Sequence, residues 1–342
     1  MKNNSPLSLV IFTSLVLPVH AFADVATLPS QHVSQGVYLV EVSAAKAFSQ
    51  QAEELERAVG DFCRSGEGIN VVQSKWQQTM TAWMALQGQE RGPQTALEQS
   101  WNIQFWPDKK NTTGRKMSAL LKQDKADWRS EEISQQSVTV QGVGAIEWLL
   151  YDDASNFTSS NNTCALGKAI SRNLVNNAAT IAQAWQDNPW VVMTQKNWDS
   201  EYIALLSNQL DYTMKKLSRP LAKVGKPRPY FAESWRSETS MQNLEHNVLA
   251  LKRLYLANGQ GLDAYLRKLG KSQLADRIVQ QFDLTLETWP TQTSLFDLLQ
   301  TKSGYQTVLS QYNKLERLNY LIHEEVAIEL GVVIGFNATD GD

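Results

Sequence analysis

Between Val140 and Asp153 the chain reads V-Q-G-V-G-A-I-E-W-L-L-Y-D-D, the most apolar run beyond its N-terminal segment, with two glycines and one carboxylate inside it. On a helix the residues one turn from Glu147 are Val143, Gly144, Leu150 and Tyr151, so its side chain projects into an apolar stripe. A carboxylate there is costly unless something pairs with it, which makes Glu147 a candidate ligand for a cation. The plainer alternative is a solvated glutamate at the margin of a half-buried helix. A second group follows a proline-bounded segment, Arg219 to Tyr230, which is expected not to form a continuous helix because it contains Pro220, Pro227 and Pro229. It contains Arg228 and leads into Glu233-Ser234-Trp235-Arg236-Ser237, where Arg236 has the fork geometry to clamp a carboxylate. The alternative is a simple helix entry in which Ser237 is the cap and Glu238 and Ser240 lie in the first turn. His323-Glu324 begins like the H-E-x-x-H zinc helix, but Ala327 stands where the second histidine is needed. Asn337, Asp340 and Asp342 are oxygen donors of the kind hard cations prefer, on a tail that Val332, Val333, Ile334 and Phe336 are expected to dock.

These residues have to be positioned by helices. Apolar residues recur three and four apart from Ala45 to Phe62, from Val72 to Trp83, across Leu97, Trp101 and Phe105, and around Met117, Leu120 and Leu121. Residues 122 to 137 are polar and charged. The helical spacing resumes from Leu166 to Trp185, breaks at Asn188-Pro189, and returns from Ile203 to Leu217. Three more helices follow, carrying Met241 to Tyr255, Leu274 to Leu286 and Val308 to Leu330. No period-two run flanked by turn signals occurs, so the expected fold is all-α. Four or five helices fall on each side of Asn188-Pro189, which predicts two tandem helical bundles, residues 24–190 and 191–342, and fits a duplicated four-helix bundle.

The first 23 residues have the form of a secretory signal peptide: Lys2, an uncharged apolar run from Leu7 to Val19, then Ala21-Phe22-Ala23. Cleavage near Ala23 leaves 319 residues beginning at Asp24, with 31 basic and 35 acidic side chains, since Lys2 is the one charge removed. The net charge of about −4 is spread along the chain and argues against nucleic acid as a partner. No later apolar run is long enough for a transmembrane helix. Cys63 and Cys164 are expected to form a disulfide in an oxidising compartment, two buried thiols being the alternative. Zinc is disfavoured by the absence of C-x-x-C and by the three histidines left after cleavage, His32, His246 and His323.

Gly142-x-Gly144-x-x-Glu147 followed by Trp148-Leu149-Leu150-Tyr151, the earlier Trp106-Pro107-Asp108, Glu233 to Ser237, and the ending Leu330-Gly331 to Gly335-Phe336-Asn337 together resemble the imelysin-like family over nearly the whole mature chain. That resemblance implies an exported, all-helical protein of the periplasm or cell envelope, linked to bacterial iron uptake and once classed as a metallopeptidase. The family's hallmark is G-x-H-x-x-E, and Gly144 stands here in place of the histidine. A lone carboxylate does not build a catalytic zinc site, which takes three protein ligands. The expectation is therefore a non-enzymatic protein that binds iron, an iron complex or an uptake partner in a cleft between two bundles. Glu147 would serve as anchor or metal ligand, with Gly142, Gly144, Trp106, Asp108, Arg228, Glu233, Trp235 and Arg236 around it. Two alternatives are a metallopeptidase with a non-standard metal site and a helical scaffold that docks an envelope partner. Glycine at position 144 costs a helix about 1 kcal/mol relative to alanine, which points to close packing or to room for a ligand.

Overall fold

Ala45, Phe48, Ala52, Leu55, Val59 and Phe62 recur every three or four residues and, with Val37 two turns earlier, are all buried on one face of α1 (Gln35–Ser65). Each large member stabilises the fold by roughly 1.5–3 kcal/mol when withdrawn from water. The helix stops at Gly66, whose φ of 73° is left-handed and whose N–H closes onto the Phe62 carbonyl. In the computed structural model residues 32–123 and 125–332 are described, and every regular element among them is helical. The signal-peptide assignment and the docking and oxygen donors of the tail beyond Val332 fall outside the described residues.

After α1 come α2 (Ile69–Trp83), the single turns α3 (Gln94–Leu97) and α4 (Ser100–Ile103), α5 (Thr112–Leu121) and the short α6 (Ser130–Ser134). Then follow α7 (Gly142–Tyr151), α8 (Asn161–Ala184), α9 (Gln195–Leu221) and α10 (Ser240–Leu256). The chain ends in α11 (Leu262–Lys268), α12 (Ser272–Glu287), the one-turn α13 (Leu295–Leu298), α14 (Lys302–Asn319) and α15 (Val326–Leu330). No helix among the described residues is long and apolar enough to cross a membrane.

Several boundaries differ from the sequence reading for identifiable reasons. α1 starts ten residues before Ala45, because Val37, Glu41 and Val42 continue its buried face. The Leu97–Trp101–Phe105 stripe is not one helix: α3 and α4 are separate turns, and Trp101 is 55 % exposed. α9 runs through Arg219 and Pro220, the proline falling in its last turn, before Ala222 turns left-handed. The last predicted helix is interrupted between α14 and α15 by a π-helical turn, Tyr320–Glu325.

α1 packs along α8 and α2, and α7 packs on α8 and α2. Beyond residue 190, α9 packs on α14 and α10, and α12 on α14 and α10, while α1 and α2 also touch α10. One continuous apolar core runs from Val37 to Val332, and the described residues from Val33 to Val332 belong to one compact unit. Cys63, in the last turn of α1, is disulfide-bonded to Cys164, in the first turn of α8, across 101 residues of sequence. Replacing both cysteines by serine should leave the helical circular-dichroism spectrum intact. It should also lower the unfolding free energy in urea by about 2–4 kcal/mol, the effect of releasing so long a loop in the unfolded chain.

Candidate functional site

α7 begins at Gly142, where φ is 65° and an added Cβ would stand 2.0 Å from the Ile103 carbonyl oxygen. Glycine there lets the helix start press onto the backbone at the end of α4. The Trp76 indole N–H donates to the Val143 carbonyl at 2.9 Å, which ties α7 to α2. Gly144 is different, since a Cβ built on it meets nothing within 4 Å. One turn further on, Glu147 is only 6 % exposed. Its Oε1 accepts from the Ser237 backbone N–H at 3.0 Å and from the Ser237 hydroxyl at 2.9 Å. Burial pushes the Glu147 carboxyl above its ordinary range, the Ser237 bonds and the Arg236 guanidinium pull it back, and Glu233 pushes it up.

Ser237 is therefore not the helix cap that sequence allowed. Glu238 has φ 60°, a left-handed conformation through which a helix cannot run, so α10 starts at Ser240 after Thr239. Arg236, beside it, does clamp an acid, but one of the chain's own: its Nε donates to Asp152 Oδ2 at 2.9 Å. Its Nη2 donates to Asn111 Oδ1 at 2.6 Å, and its guanidinium lies 4.3 Å from the centre of the Trp235 ring. Asn111 caps α5, and Asp108 accepts from the Thr112 and Thr113 N–H groups at 2.6 and 2.9 Å, which places both its oxygens on the start of that helix. The loop 233–239 thus brings Glu147, Glu233, Trp235, Arg236 and the Asp108–Asn111 turn together. Trp106 stands further along, donating to the Phe231 carbonyl at 3.1 Å and packed edge-on against Tyr212. Arg228 lies apart, over the Phe231 ring, on a cleft of about 350 Å³ lined also by Lys109, Arg219 and Lys223.

Glu233 belongs to a network whose centre no sequence motif marks. Its Oε2 is 2.7 Å from the Lys216 ammonium, and both side chains are almost fully buried. Gln87 and Gln104 each donate to Glu233 Oε1 at 2.8 Å. Lys216 also donates to Asn247 Oδ1 at 2.7 Å and to Gln87 Oε1. Burial lowers the Lys216 pKa and the facing carboxylate raises it, and the short contact to Glu233 favours the charged pair. The signal that could have found Lys216 is a second stripe on α9. Leu205, Gln209, Thr213 and Lys216 repeat at helical spacing and are all buried, as are Ser240, Asn243 and Asn247 on α10. Glu41 lies outside the apolar spacing that is readable from Ala45 onward, yet Val37, Glu41, Ala45 and Phe48 share one buried face.

Among the described residues no group of three or more His, Cys, Asp or Glu side chains is placed to hold a metal ion. His246 is half-buried on α10, where burial lowers its pKa, and His323 faces Glu324 at 3.1 Å in the π-helical turn.

The architecture defines an all-α protein of packed helices, and two solved structures share it. An imelysin-like protein from Psychrobacter arcticum 273-4 is 19 % identical, with a TM-score of 0.76 over 89 % of this chain and 96 % of that one. A protein described as an "iron-regulated protein A precursor" from Parabacteroides distasonis ATCC 8503 is 16 % identical, with a TM-score of 0.63 over 89 % of this chain and 98 % of that one. No curated protein matches the chain. Residues 41–322 match the imelysin (peptidase M75) family model, and the chain belongs to that family.

The two glycines of the hallmark stretch should respond oppositely to alanine in thermal melts. Gly144→Ala is expected to stabilise by up to about 1 kcal/mol, since the helix gains propensity and nothing obstructs the methyl. Gly142→Ala should destabilise by at least about 1–2 kcal/mol, through its left-handed backbone and the Ile103 carbonyl. In the central pair, Lys216→Met should cost roughly 3–5 kcal/mol in chemical denaturation, because it leaves the Glu233 charge buried without its cation. Adding Glu233→Gln should recover a measurable part of that loss, whereas strict additivity would mean that the two groups do not interact.

Proposed function

We propose that this imelysin-family protein is an exported, non-enzymatic component of bacterial iron acquisition, which takes up iron, an iron complex or a component of the uptake machinery between two helical bundles. The observation that carries the reading is Glu147. Its carboxylate is buried on a helix of the first half, is gripped by Ser237 from the second half, and lies one turn from the open space at Gly144. The description of one structural relative as iron-regulated supports the iron assignment. The two-bundle arrangement, 24–190 and 191–342, is supported by the preference of α1, α2, α7 and α8 for one another and of α9, α10, α12 and α14 for one another. With glycine at 144, Glu147 has no imidazole one turn away with which to share a metal, and the non-enzymatic reading rests on that departure from the hallmark.

The mature protein, incubated with ferric salts and with ferric complexes of small organic acids and then desalted, should retain iron measurable by mass spectrometry. Glu147→Ala should reduce that retention at least about tenfold in affinity, a loss of roughly 1.4 kcal/mol. No retention by either protein sinks the direct-ligand reading. Chelator-sensitive cleavage of casein by the wild type would overturn the non-enzymatic one. Gly144→His, for which the open space leaves room, should add affinity for divalent metals beyond that of the wild type.

A further inference from the structure

Where α9 ends, its last turn, the segment after it and the loop before α5 enclose a cleft of about 350 Å³ whose walls carry charge of one sign. Lys109, Arg219, Lys223 and Arg228 line it together with Ser218 and Phe231, and no carboxylate lies in the walls. Among the described residues none of these four cations has an ion-pair partner. Yet acidic side chains outnumber basic ones in this chain, 35 to 32, so counter-charges were available elsewhere. The carboxyl end of α9 offers some compensation, but a helix end carries only about half a negative charge. Most of the positive charge in the cleft is left unmatched.

The backbone fixes where these side chains start. α9 stops at Ala222, whose φ is 49° and whose N–H closes onto the Ser218 carbonyl. Lys223 to Lys226 is a tight turn, in which the Lys226 N–H donates to the Lys223 carbonyl at 2.8 Å and Gly225 has φ 72°. The Arg228 N–H then donates to the Pro220 carbonyl at 2.7 Å and brings Arg228 back beside the last turn of α9. Two of the cations are oriented by rings. The Arg219 guanidinium lies 5.6 Å from the centre of Trp106, and that of Arg228 5.4 Å from the centre of Phe231. The Trp106 indole donates to the Phe231 carbonyl at 3.1 Å, so the two rings are held to each other. A ring contact uses the flat face of a guanidinium and leaves its N–H edge free.

We infer that this cleft binds a phosphate monoester group. Such a group carries about −1.5 to −2 charge near neutral pH and three oxygens that accept from several sides at once. The cations likewise arrive from three segments: Lys109 before α5, Arg219 on α9, and Lys223 and Arg228 after it. A carboxylate has a single charge and two oxygens in one plane, and would leave most of the walls unmatched. A cleft lined by one sign of charge also concentrates the opposite ion from solution. Soluble phosphate monoesters and lipid head groups share this chemistry. Val224, at the tip of the turn between Lys223 and Lys226, is 84 % exposed and gives a lipid an added apolar contact. The proposal does not rest on the iron reading, because neither Glu147 nor Ser237 forms part of the walls.

Two assays on the metal-free mature protein test the assignment: isothermal titration with glycerol phosphate, and flotation with phosphatidylcholine vesicles with and without phosphatidic acid. Saturable binding of glycerol phosphate without flotation assigns a soluble ligand. Flotation that requires phosphatidic acid and is lost in Val224→Asp assigns a lipid head group. In either case Lys223→Gln combined with Arg228→Gln should weaken binding at least tenfold, and both side chains are exposed, so the fold should survive. Lys109→Gln combined with Arg219→Gln should do the same from the other walls. Raising the ionic strength from about 0.01 M to about 0.15 M shortens the Debye length from about 30 to about 8 Å and should weaken binding several-fold. Absence of binding in both assays, variant pairs that both bind like the wild type, or succinate binding as tightly as glycerol phosphate overturns the proposal.

Discussion

The end of α2 is closed by side-chain amides from α9 and α10, beside a buried ammonium brought to it from α9. A helix terminates with carbonyls that have no partner and with the negative end of its dipole. Here the Met84 carbonyl accepts from Asn247 at 2.7 Å and from Gln209 at 3.4 Å, and the Lys216 ammonium sits against Met84 and Gln87. Lys216 in turn needs a counter-charge, because an ammonium with no exposed surface cannot turn to water. Glu233 supplies it, and Glu233 is the first residue of the loop that shapes the candidate site. The Ser240 hydroxyl donates to the Glu233 carbonyl at 2.5 Å and closes that loop at its far end. Between these anchors Ser234 and Glu238 adopt left-handed backbones, which Ser and Glu side chains do not choose freely. Ser237 reaches Glu147 and Arg236 reaches Asp152 because the loop is held this way.

The energetic character of this arrangement is specificity more than stability. A buried ion pair contributes little beyond what well-packed apolar side chains would give, yet a half-removed pair is very costly. The network from Trp83 and Gln104 through Gln87, Glu233 and Lys216 to Asn247 therefore excludes other packings of α2, α9 and α10. A second polar chain runs from Gln77 through Asn243 and Thr239 to Ser237 and Glu147. It joins α2 to the hallmark helix α7 by way of α10. The two chains share the short stretch from Glu233 to Ser240, so one loop carries the orientation of two buried glutamates, Glu147 and Glu233.

Much of the fold was legible in the sequence because apolar spacing is a direct imprint of a buried helix face. The long helices and the unusual position of Glu147 follow from residue types at fixed offsets, and the disulfide follows from two cysteines in a chain that reads as exported. What was not legible depends on partners far away in the chain. Ser237 looks like a cap until the left-handed Glu238 and the carboxylate of residue 147 are seen. Arg236 has the geometry to clamp a carboxylate, and only the fold shows that Asp152, 84 residues away, is the one it holds. Nothing in the sequence marks Lys216, since the polar stripe on α9 becomes meaningful only when α2 and α10 enclose it. Gly144 illustrates the remaining ambiguity: its cost to the helix was readable, but whether it allows close packing or open space required the neighbours. The space is open.

The bond between Cys63 and Cys164 has a mechanical side. It fastens the last turn of α1 to α8, while Glu41 lies near the opposite end of the same helix. At 1.5 Å per residue, the arm from Cys63 back to Glu41 is roughly 33 Å long. Over that length a tilt of only about 2° would carry Glu41 by about 1 Å, the scale on which its hydrogen bond from Trp190 is made or lost. The covalent bond thus fixes one end of a long rod whose far end is held by buried apolar contacts and by that one indole.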